Sequence, residues 1–244
     1  MQMPIQRALT KYIENIDKVV LFSIFIILTL LLSFILSSFI SVGSGFIRFT
    51  SIYADLTVPQ ILVMLGVTLI SIILISIFLS GLISIVKLQE TLDHVTYRRV
   101  TSVFKKYVLQ MTLFLMLLTI VSITIGTILT YLGTPAAITH AIILIIWVLF
   151  IFTPQIIVLE DFGLIESIKD SVKFIEKNPK PLAKYIVVGF VLMFSLTLLE
   201  VGLGQLFVWS HQIIAVILVS VIILPFLQIY ATELYLKRYP LTGI

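Results

Sequence analysis

Three ionisable side chains near the ends of apolar segments are the first candidates for chemistry in this sequence. Glu200, His140 and His211 supply one carboxylate and two imidazoles, groups that carry protons or bind metal ions in proteins. We expect Glu200 to be the only carboxylate within a predicted membrane span. The three residues show no metal-ligand spacing, so we expect no metal and no cofactor. Two interpretations stay open, a speculative outer polar site for a proton or substrate, or contact between Glu200 and the outer headgroups.

Basic side chains form the second candidate set, and their chemistry is the binding of phosphate. Four of them stand close together in one hydrophilic segment and a fifth follows in the next: Arg98, Arg99, Lys105, Lys106 and Lys173. Near a membrane surface each cation gains about 1 kcal/mol from anionic lipid headgroups. We expect these residues either to contact lipids or a protein partner, or to do no more than fix the orientation of the chain in the membrane.

Small and hydroxyl side chains recur at every fourth position in two apolar segments. Such stripes allow membrane helices to pack closely and to exchange hydrogen bonds. Packing is the simpler interpretation, and a polar pathway between the two helices is the alternative. The residues are Ser76, Ser80 and Ser84 in one segment and Ser122, Gly126 and Thr130 in the other.

The composition indicates which kind of fold must position these residues. The chain has 244 residues, of which 60% are hydrophobic and 11% are charged, whereas a soluble domain is roughly 25% charged. The mean hydropathy is +1.20. A soluble fold of this length has too little core to hide so much apolar surface. No cysteine is present, which excludes disulfides and thiolate chemistry.

Six stretches are long and apolar enough to span a bilayer as helices, the structure in which every backbone polar group is satisfied within the segment. The sequence therefore predicts an all-α polytopic membrane protein in a single domain, with kinks at Pro154 and Pro225. The predicted spans are 19–40, 60–86, 108–132, 137–159, 185–203 and 212–234.

The basic residues predict the orientation of these spans. All but one of the 16 lysines and arginines fall in the tails, in 87–107 or in 160–184, and the exception is Arg48. By the positive-inside rule both termini and these two loops are cytoplasmic, including the tail 1–18, in a multi-pass protein of the cell membrane. Hydrophobic spacing in both loops predicts two cytoplasmic amphipathic helices, which either lie on the membrane or extend the spans.

One stretch resembles a known family. Residues 159–163 read Leu-Glu-Asp-Phe-Gly, residues 166–171 read Glu-Ser-Ile-Lys-Asp-Ser, and Asn178 ends the helical pattern. This resembles the membrane domain fused to some glycerophosphoryl diester phosphodiesterases, and related stand-alone six-span membrane proteins. The residues that match the motif are Asp161, Gly163, Ser167, Lys169 and Ser171, and Phe174 stands in for a late aromatic.

The resemblance implies a membrane fold and not the phosphodiesterase reaction, because the soluble catalytic barrel of that family is a separate domain that this sequence lacks. Physically, Gly163 permits a sharp entry into a helix and Asp161 can cap its first turn. Ser167 and Ser171 share one face and can hydrogen-bond to a neighbouring loop or span. We expect these residues to be structural rather than a ligand site.

Together these observations favour a non-enzymatic membrane protein that interacts with lipid headgroups or with a membrane partner. The alternative is a transporter or permease for a lipid-like or small amphiphilic molecule, and an intramembrane enzyme ranks last because no catalytic set is clustered. The expected partners are membrane lipids, with a protein partner or self-association as further options. The net charge of +4 does not indicate nucleic acid, because the placement of the charges follows membrane topology.

Overall fold

The computed structural model describes residues 3–35, 58–91, 95–206 and 211–240, and within these ranges the chain is almost entirely helical and contains no strand. The predicted all-α class is therefore confirmed. The helices are α1 (Pro4–Glu14), α2 (Ile16–Ile35), α3 (Val58–Thr91), α4 (Tyr97–Tyr131), α5 (Ala136–Leu149), α6 (Thr153–Leu159), α7 (Leu164–Lys177), α8 (Pro179–Leu206), α9 (His211–Ile217) and α10 (Leu224–Leu236), with a π-helical segment (Leu218–Ile223) between α9 and α10.

Five helical stretches in the described ranges are long and apolar enough to cross a membrane, which makes the chain a multi-pass membrane protein. A sixth is present if α1 and α2, which meet at 90°, are counted together. Residues 36–57, which include the end of the predicted first span, lie outside the described ranges. The five stretches are Leu62–Thr91, Tyr97–Tyr131, Ala136–Leu159, Pro179–Gly202 and Ile213–Leu236.

The two predicted cytoplasmic helices adopt different forms. In 87–107 the hydrophilic residues extend the spans, because α3 continues to Thr91 and α4 begins at Tyr97. The 35 residues of α4 make a helix about 50 Å long, which exceeds a hydrocarbon core of roughly 30 Å. In 160–184, by contrast, α7 is a separate amphipathic helix.

The N-terminal tail contains a helix that the sequence analysis did not predict. In α1, Pro4 occupies the first helical position, and the backbone N–H of Met3 donates to Gln6 Oε1 at 3.1 Å. The helix buries Ala8 and Tyr12 against the rest of the chain. A signal was nevertheless present, because Ile5, Ala8, Leu9 and Tyr12 recur at the three- and four-residue spacing of one helical face.

The core is concentrated at one end of the bundle. Every residue of Gly81–Val86, Phe152–Leu159 and Ile229–Leu236 is buried, so the short helix α6 lies at the centre, between the ends of α3 and α10. In α8, by contrast, most residues between Tyr185 and Gly202 are exposed, and Leu196 is the one that is buried. Apart from the face that packs on α10 and the π-helical segment, the helix presents an apolar surface outwards, which is compatible with surrounding lipid.

The fourth apolar segment is interrupted rather than simply kinked at Pro154. Helix α5 ends at Leu149, and Pro154 is the second residue of α6, a position where its missing N–H costs little. In an unbroken helix the N–H of Thr153 would donate to the carbonyl of Leu149. It donates instead to Phe150 O at 3.1 Å, which leaves the Leu149 carbonyl without a partner in its own segment.

The last apolar segment accommodates Pro225 in a different way. The π-helical turn Leu218–Ile223 precedes it, and Pro225 then stands near the start of α10. Since proline has no N–H, the carbonyl of Val221, four residues earlier, receives no hydrogen bond from it. The hydroxyl of Tyr12 donates to Val221 O at 2.9 Å, so α1 packs against this irregular turn and supplies a hydrogen bond there.

A glycine allows α2 to approach α3 closely. A Cβ atom at Gly81 would lie 2.2 Å from the ring of Phe22, and that ring also makes an edge contact with Phe104 at 5.3 Å. Phe22 therefore fills a gap between α3 and α4 that only a glycine leaves open.

We predict that Gly81→Val destabilises the protein, because an overpacked core position costs about 1–3 kcal/mol. The melting temperature in detergent, followed by circular dichroism, should fall. Gly66→Val is the matched control on the same helix, because no atom lies within 4 Å of a Cβ there. Equal effects of the two substitutions would contradict the packing role of Gly81.

Candidate functional site at the charged end of the bundle

Two basic residues of α1 and two carboxylates form an ion-pair cluster at the well-packed end of the bundle. Lys11 contacts both Glu90, at the end of α3, and Glu233 in α10. Arg7 Nη2 lies 2.5 Å from Glu90 Oε1, and Arg7 Nε lies 3.2 Å from Glu233 Oε2. Only 1% of the Glu233 side chain is exposed. A carboxylate buried to that degree must be paired, so the cluster fastens α1 to α3 and α10.

We call this part of the molecule, where α3, α6 and α10 end and α4 and α8 begin, the charged end. Glu233 lies within the predicted span 212–234, so the expectation that Glu200 was the only carboxylate in a span was wrong. The spacing of Arg7 and Lys11, one helical turn apart, was the signal that could have suggested a buried acidic partner.

Further polar contacts hold α1 along the end of α3. Asn15 Nδ2 donates to Gln89 Oε1 at 3.1 Å, and Gln89 Nε2 donates to Glu14 Oε2 at 2.5 Å. With the Tyr12 hydroxyl on Val221, these bonds fix both the position of α1 and its 90° bend from α2.

The family-motif residues lie at the same end, around the connection between α6 and α7. Asp161 has a positive φ of 60°, and its Oδ2 accepts a hydrogen bond from Lys106 Nζ at 2.5 Å. The Lys106 ammonium lowers the pKa of the Asp161 carboxyl below its usual range. The pair therefore contributes stability at neutral pH, and that contribution is lost as the pH falls through the lowered pKa.

The expected local roles of Asp161 and Gly163 need correction. Gly163 is the N-cap residue of α7, with an extended backbone at φ −64° and ψ 161°, and no side chain caps this helix. The sharp turn is thus made by Asp161, whose carboxylate pairs with Lys106 instead of the first turn of α7. Aspartate is one of the few residues that tolerate the left-handed region.

Ser167 and Ser171 are both fully buried on the face of α7 that packs against the bundle. The Ser171 hydroxyl donates to Leu149 O at 3.1 Å, the carbonyl left free by the break between α5 and α6. Ser167 Oγ donates to Gly163 O at 2.9 Å, within its own helix. The expected hydrogen bond from this face to a neighbouring span is therefore present for Ser171. Lys169 is exposed on the opposite side.

Aromatic and amide side chains complete the packing around the break. The ring of Phe174 in α7 lies 4.8 Å from that of Phe152 and 4.9 Å from that of Tyr235. The side-chain amide of Gln155 both donates and accepts. Its nitrogen donates to Ile151 O at 3.1 Å, and its oxygen accepts from Gln228 Nε2 at 3.0 Å. The non-helical backbone is thus satisfied by protein groups.

Lys87 stabilises the C-terminal end of α6, a role that the sequence analysis did not predict. Its Nζ donates to Val158 O at 2.6 Å and to the hydroxyl of Tyr107 at 3.1 Å. A cation at the C-terminal end of a helix is favourable, because the carbonyls there carry a partial negative charge. The Tyr235 hydroxyl donates to Glu160 Oε1 at 3.3 Å on the same side.

The basic residues chosen from the sequence fall into two groups. Lys106 pairs with Asp161, and Lys173 pairs with Asp170 at 3.0 Å. Arg98, Arg99 and Lys105 occupy the first turns of α4, are exposed, and have no side-chain partner within the described ranges.

The outer polar residues show no assembled site in the part of the chain that the structure describes. Glu200 is half-buried on α8, and a ring nitrogen of His140 on α5 contacts the carbonyl of Ala136. The side chain of His211 lies outside the described residues. Among the residues that are described, no group of three His, Cys, Asp or Glu side chains is placed to hold a metal ion.

The small-residue stripes are buried except for Thr130, which is exposed and donates to Gly126 O at 2.8 Å. Ser122 Oγ accepts a hydrogen bond from Trp147 Nε1 at 3.0 Å and donates to Leu118 O. Ser76 is bonded to Ile72 O, whereas the hydroxyls of Ser80 and Ser84 are buried without a partner in the described chain.

No protein-family model, curated protein or solved structure matches this chain. The resemblance of the motif to the phosphodiesterase-associated membrane domain therefore stays a prediction. What the site does must be inferred from its own geometry.

We predict that Ser171→Ala lowers the free energy of unfolding by about 1–3 kcal/mol, because it leaves the buried Leu149 carbonyl without a donor. Ser167→Ala is the matched control. Gly163 O keeps its bond from the Ser167 backbone N–H at 2.9 Å, so the loss should be smaller. Thermal or denaturant unfolding in detergent measures both. A larger loss for Ser167→Ala would refute the role given to Ser171.

We also predict that Glu233→Gln releases α1. Removing one partner from a buried ion pair costs about 3–5 kcal/mol, and Lys11 would keep only the more exposed Glu90. Hydrogen exchange of the amides in residues 4–14 should become faster. Asp170→Asn, which removes an exposed pair with Lys173, should leave that exchange unchanged. Unaltered exchange in Glu233→Gln would mean that the cluster does not hold the helix.

Proposed function

We propose that this protein is a non-catalytic integral membrane protein that binds anionic lipid headgroups through exposed cations at its charged end. The observation that carries the proposal is a division among the basic residues. Six of the described lysines and arginines bond to carboxylates, carbonyls or hydroxyls of the chain, whereas a larger set is exposed with no side-chain partner in the described ranges: Arg98, Arg99, Lys105, Lys169, Lys177, Lys180, Lys184, Lys237 and Arg238.

Carboxylates balance this set only in part, because the four without a cation partner in the described tail and loop, Glu14, Glu160, Glu166 and Glu176, are fewer than the nine cations. Glu90, Asp161, Asp170 and Glu233 each already have a cation within ion-pair distance. Unpaired cations near a membrane surface gain about 1 kcal/mol each from anionic lipids. Phosphate groups are the nearest abundant anions for side chains at this depth, which favours headgroups over a soluble ligand.

The proposal includes the orientation of the chain. With the charged end in the cytoplasm, both tails and the exposed cations face the anionic leaflet, in accord with the positive-inside rule. The motif residues Asp161, Gly163, Ser167 and Ser171 then serve as structural elements that hold α7 beneath the broken fourth segment. Lys169 projects from the exposed side of the same helix.

A transporter or permease for a lipid-like or small amphiphilic molecule is the second candidate. It is favoured by the interruption at 150–152 and by buried hydroxyls of Ser80, Ser84 and Thr153 without a partner in the described chain, because broken helices line substrate sites in many transporters. It ranks second because Ser171 and Gln155 occupy the free carbonyls at the break.

We predict that the triple variant Arg98→Gln, Arg99→Gln, Lys105→Gln retains phosphatidylglycerol roughly 100-fold more weakly than the unaltered chain, since three contacts of about 1 kcal/mol each are lost. Native mass spectrometry of the full chain in mild detergent, titrated with phosphatidylglycerol and with phosphatidylcholine, measures the difference. Binding to phosphatidylcholine should be weak in both proteins.

Lys173→Gln is the control, because that lysine already has a partner in Asp170. Equal retention of phosphatidylglycerol by the triple variant and the unaltered chain would overturn the proposal and favour transport. A co-purified protein that is lost with the three charges, in place of lipid, would also overturn it and would identify a membrane partner instead.

A further inference from the structure

An apolar groove lies between the N-terminal helix and two membrane helices. Its volume is about 480 Å³, within the roughly 300–1,000 Å³ of typical ligand pockets. Only apolar atoms face it, since the amide oxygen of the one polar residue, Gln6, accepts the backbone N–H of Met3. The lining residues are Ile5, Gln6 and Leu9 of α1, Val187, Val188, Val191 and Leu192 of α8, and Phe226 of α10.

The groove follows from the way α1 is held. The ion pairs of Arg7 and Lys11 fix α1 against α3 and α10, at 90° to α2. This leaves its apolar residues Ile5 and Leu9 beside α8 without filling the space between them. Val187 and Val191 on the α8 wall of the groove are exposed, and Val188 and Leu192 are half-buried.

Two lysines lie on the same face of α8 as the groove. Lys184 stands three, four and seven residues before Val187, Val188 and Val191, and Lys180 is one turn further towards the start of the helix. This spacing puts all five on one helical face. Both lysines are exposed, and no partner for either is present in the described residues.

The groove is apolar, and two unpaired lysines follow it on the same helical face. This arrangement is complementary to a lipid, which has an apolar acyl chain and an anionic headgroup. Water is poorly held by a groove with no polar atoms. A partner helix, about 10 Å across, would fill this volume with roughly a single turn, and an acyl chain is far thinner.

We infer that the groove between α1, α8 and α10 binds one acyl chain of an anionic glycerophospholipid, with the headgroup phosphate on Lys180 and Lys184. The inference rests on the proposed function and deepens it, because it assigns a second, specific lipid site apart from the cations of α4. Binding there places a lipid beneath α1, so the ion-pair cluster that holds this helix also shapes the site.

The test uses the full chain in detergent, titrated with phosphatidylglycerol and followed by native mass spectrometry. Val188→Phe fills the groove with a larger apolar side chain and should weaken the tightest-bound lipid roughly tenfold, the equivalent of about two buried methylene groups. Lys184→Gln should weaken it about fivefold. Val201→Phe is the control, since Val201 is 60% exposed on the same helix and does not line the groove.

Competition on the unaltered chain tests the groove without any substitution. Lysophosphatidylglycerol, which keeps one acyl chain, should displace the tightest-bound lipid, whereas glycerol 3-phosphate at the same concentration should not. Displacement by glycerol 3-phosphate, or full binding in Val188→Phe, would overturn the groove assignment. If the α4 triple variant still loses lipid in that case, the proposed function stands; if every variant binds like the unaltered chain, both fail.

Discussion

Prolines accompany irregular backbone hydrogen bonding in the fourth and the last apolar segments, and hydrocarbon offers no replacement partner for a carbonyl that loses its helical donor. In each irregular segment one carbonyl accepts a hydrogen bond from a side chain of another helix. Ser171 of α7 donates to Leu149, and Tyr12 of α1 donates to Val221. The positions of the amphipathic helices α1 and α7 therefore depend on the irregular segments of the bundle, and each helix supplies a hydrogen bond to one of them.

Charge adds a second constraint on α1. Desolvating an unpaired carboxylate is too costly to be tolerated, so Glu233 depends on Lys11 and Arg7. The dependence is mutual, because Lys11 is also nearly buried. A buried ion pair adds little net stability compared with apolar residues of the same size, but it penalises every arrangement that separates its members. The cluster therefore specifies where α1 lies more than it strengthens the fold.

The elements that the sequence predicted and those it missed differ in a physical way. Hydropathy predicted the apolar spans, because a bilayer admits few structures, and Pro154 predicted a kink where the structure has a break between Leu149 and Thr153. Spacing of apolar residues also predicted α7 and the buried face that carries Ser167 and Ser171. It could not predict that Asp161 pairs with Lys106, 55 residues away, or that Glu233 pairs with α1. Those contacts depend on which helix ends meet, information that lies in three-dimensional packing and not in any local pattern.

The same distinction separates the two kinds of cation at the charged end. Protein partners hold the ammonium groups of Lys11, Lys87 and Lys106, so these groups are occupied by contacts within the fold. Arg98, Arg99, Lys105, Lys180 and Lys184 remain exposed on the helix turns nearest the predicted inner surface. A topology signal requires only that such charges stay on one side of the membrane. It does not require two of them to align with an apolar groove on the same helix, and that coincidence is what favours a bound lipid over orientation alone.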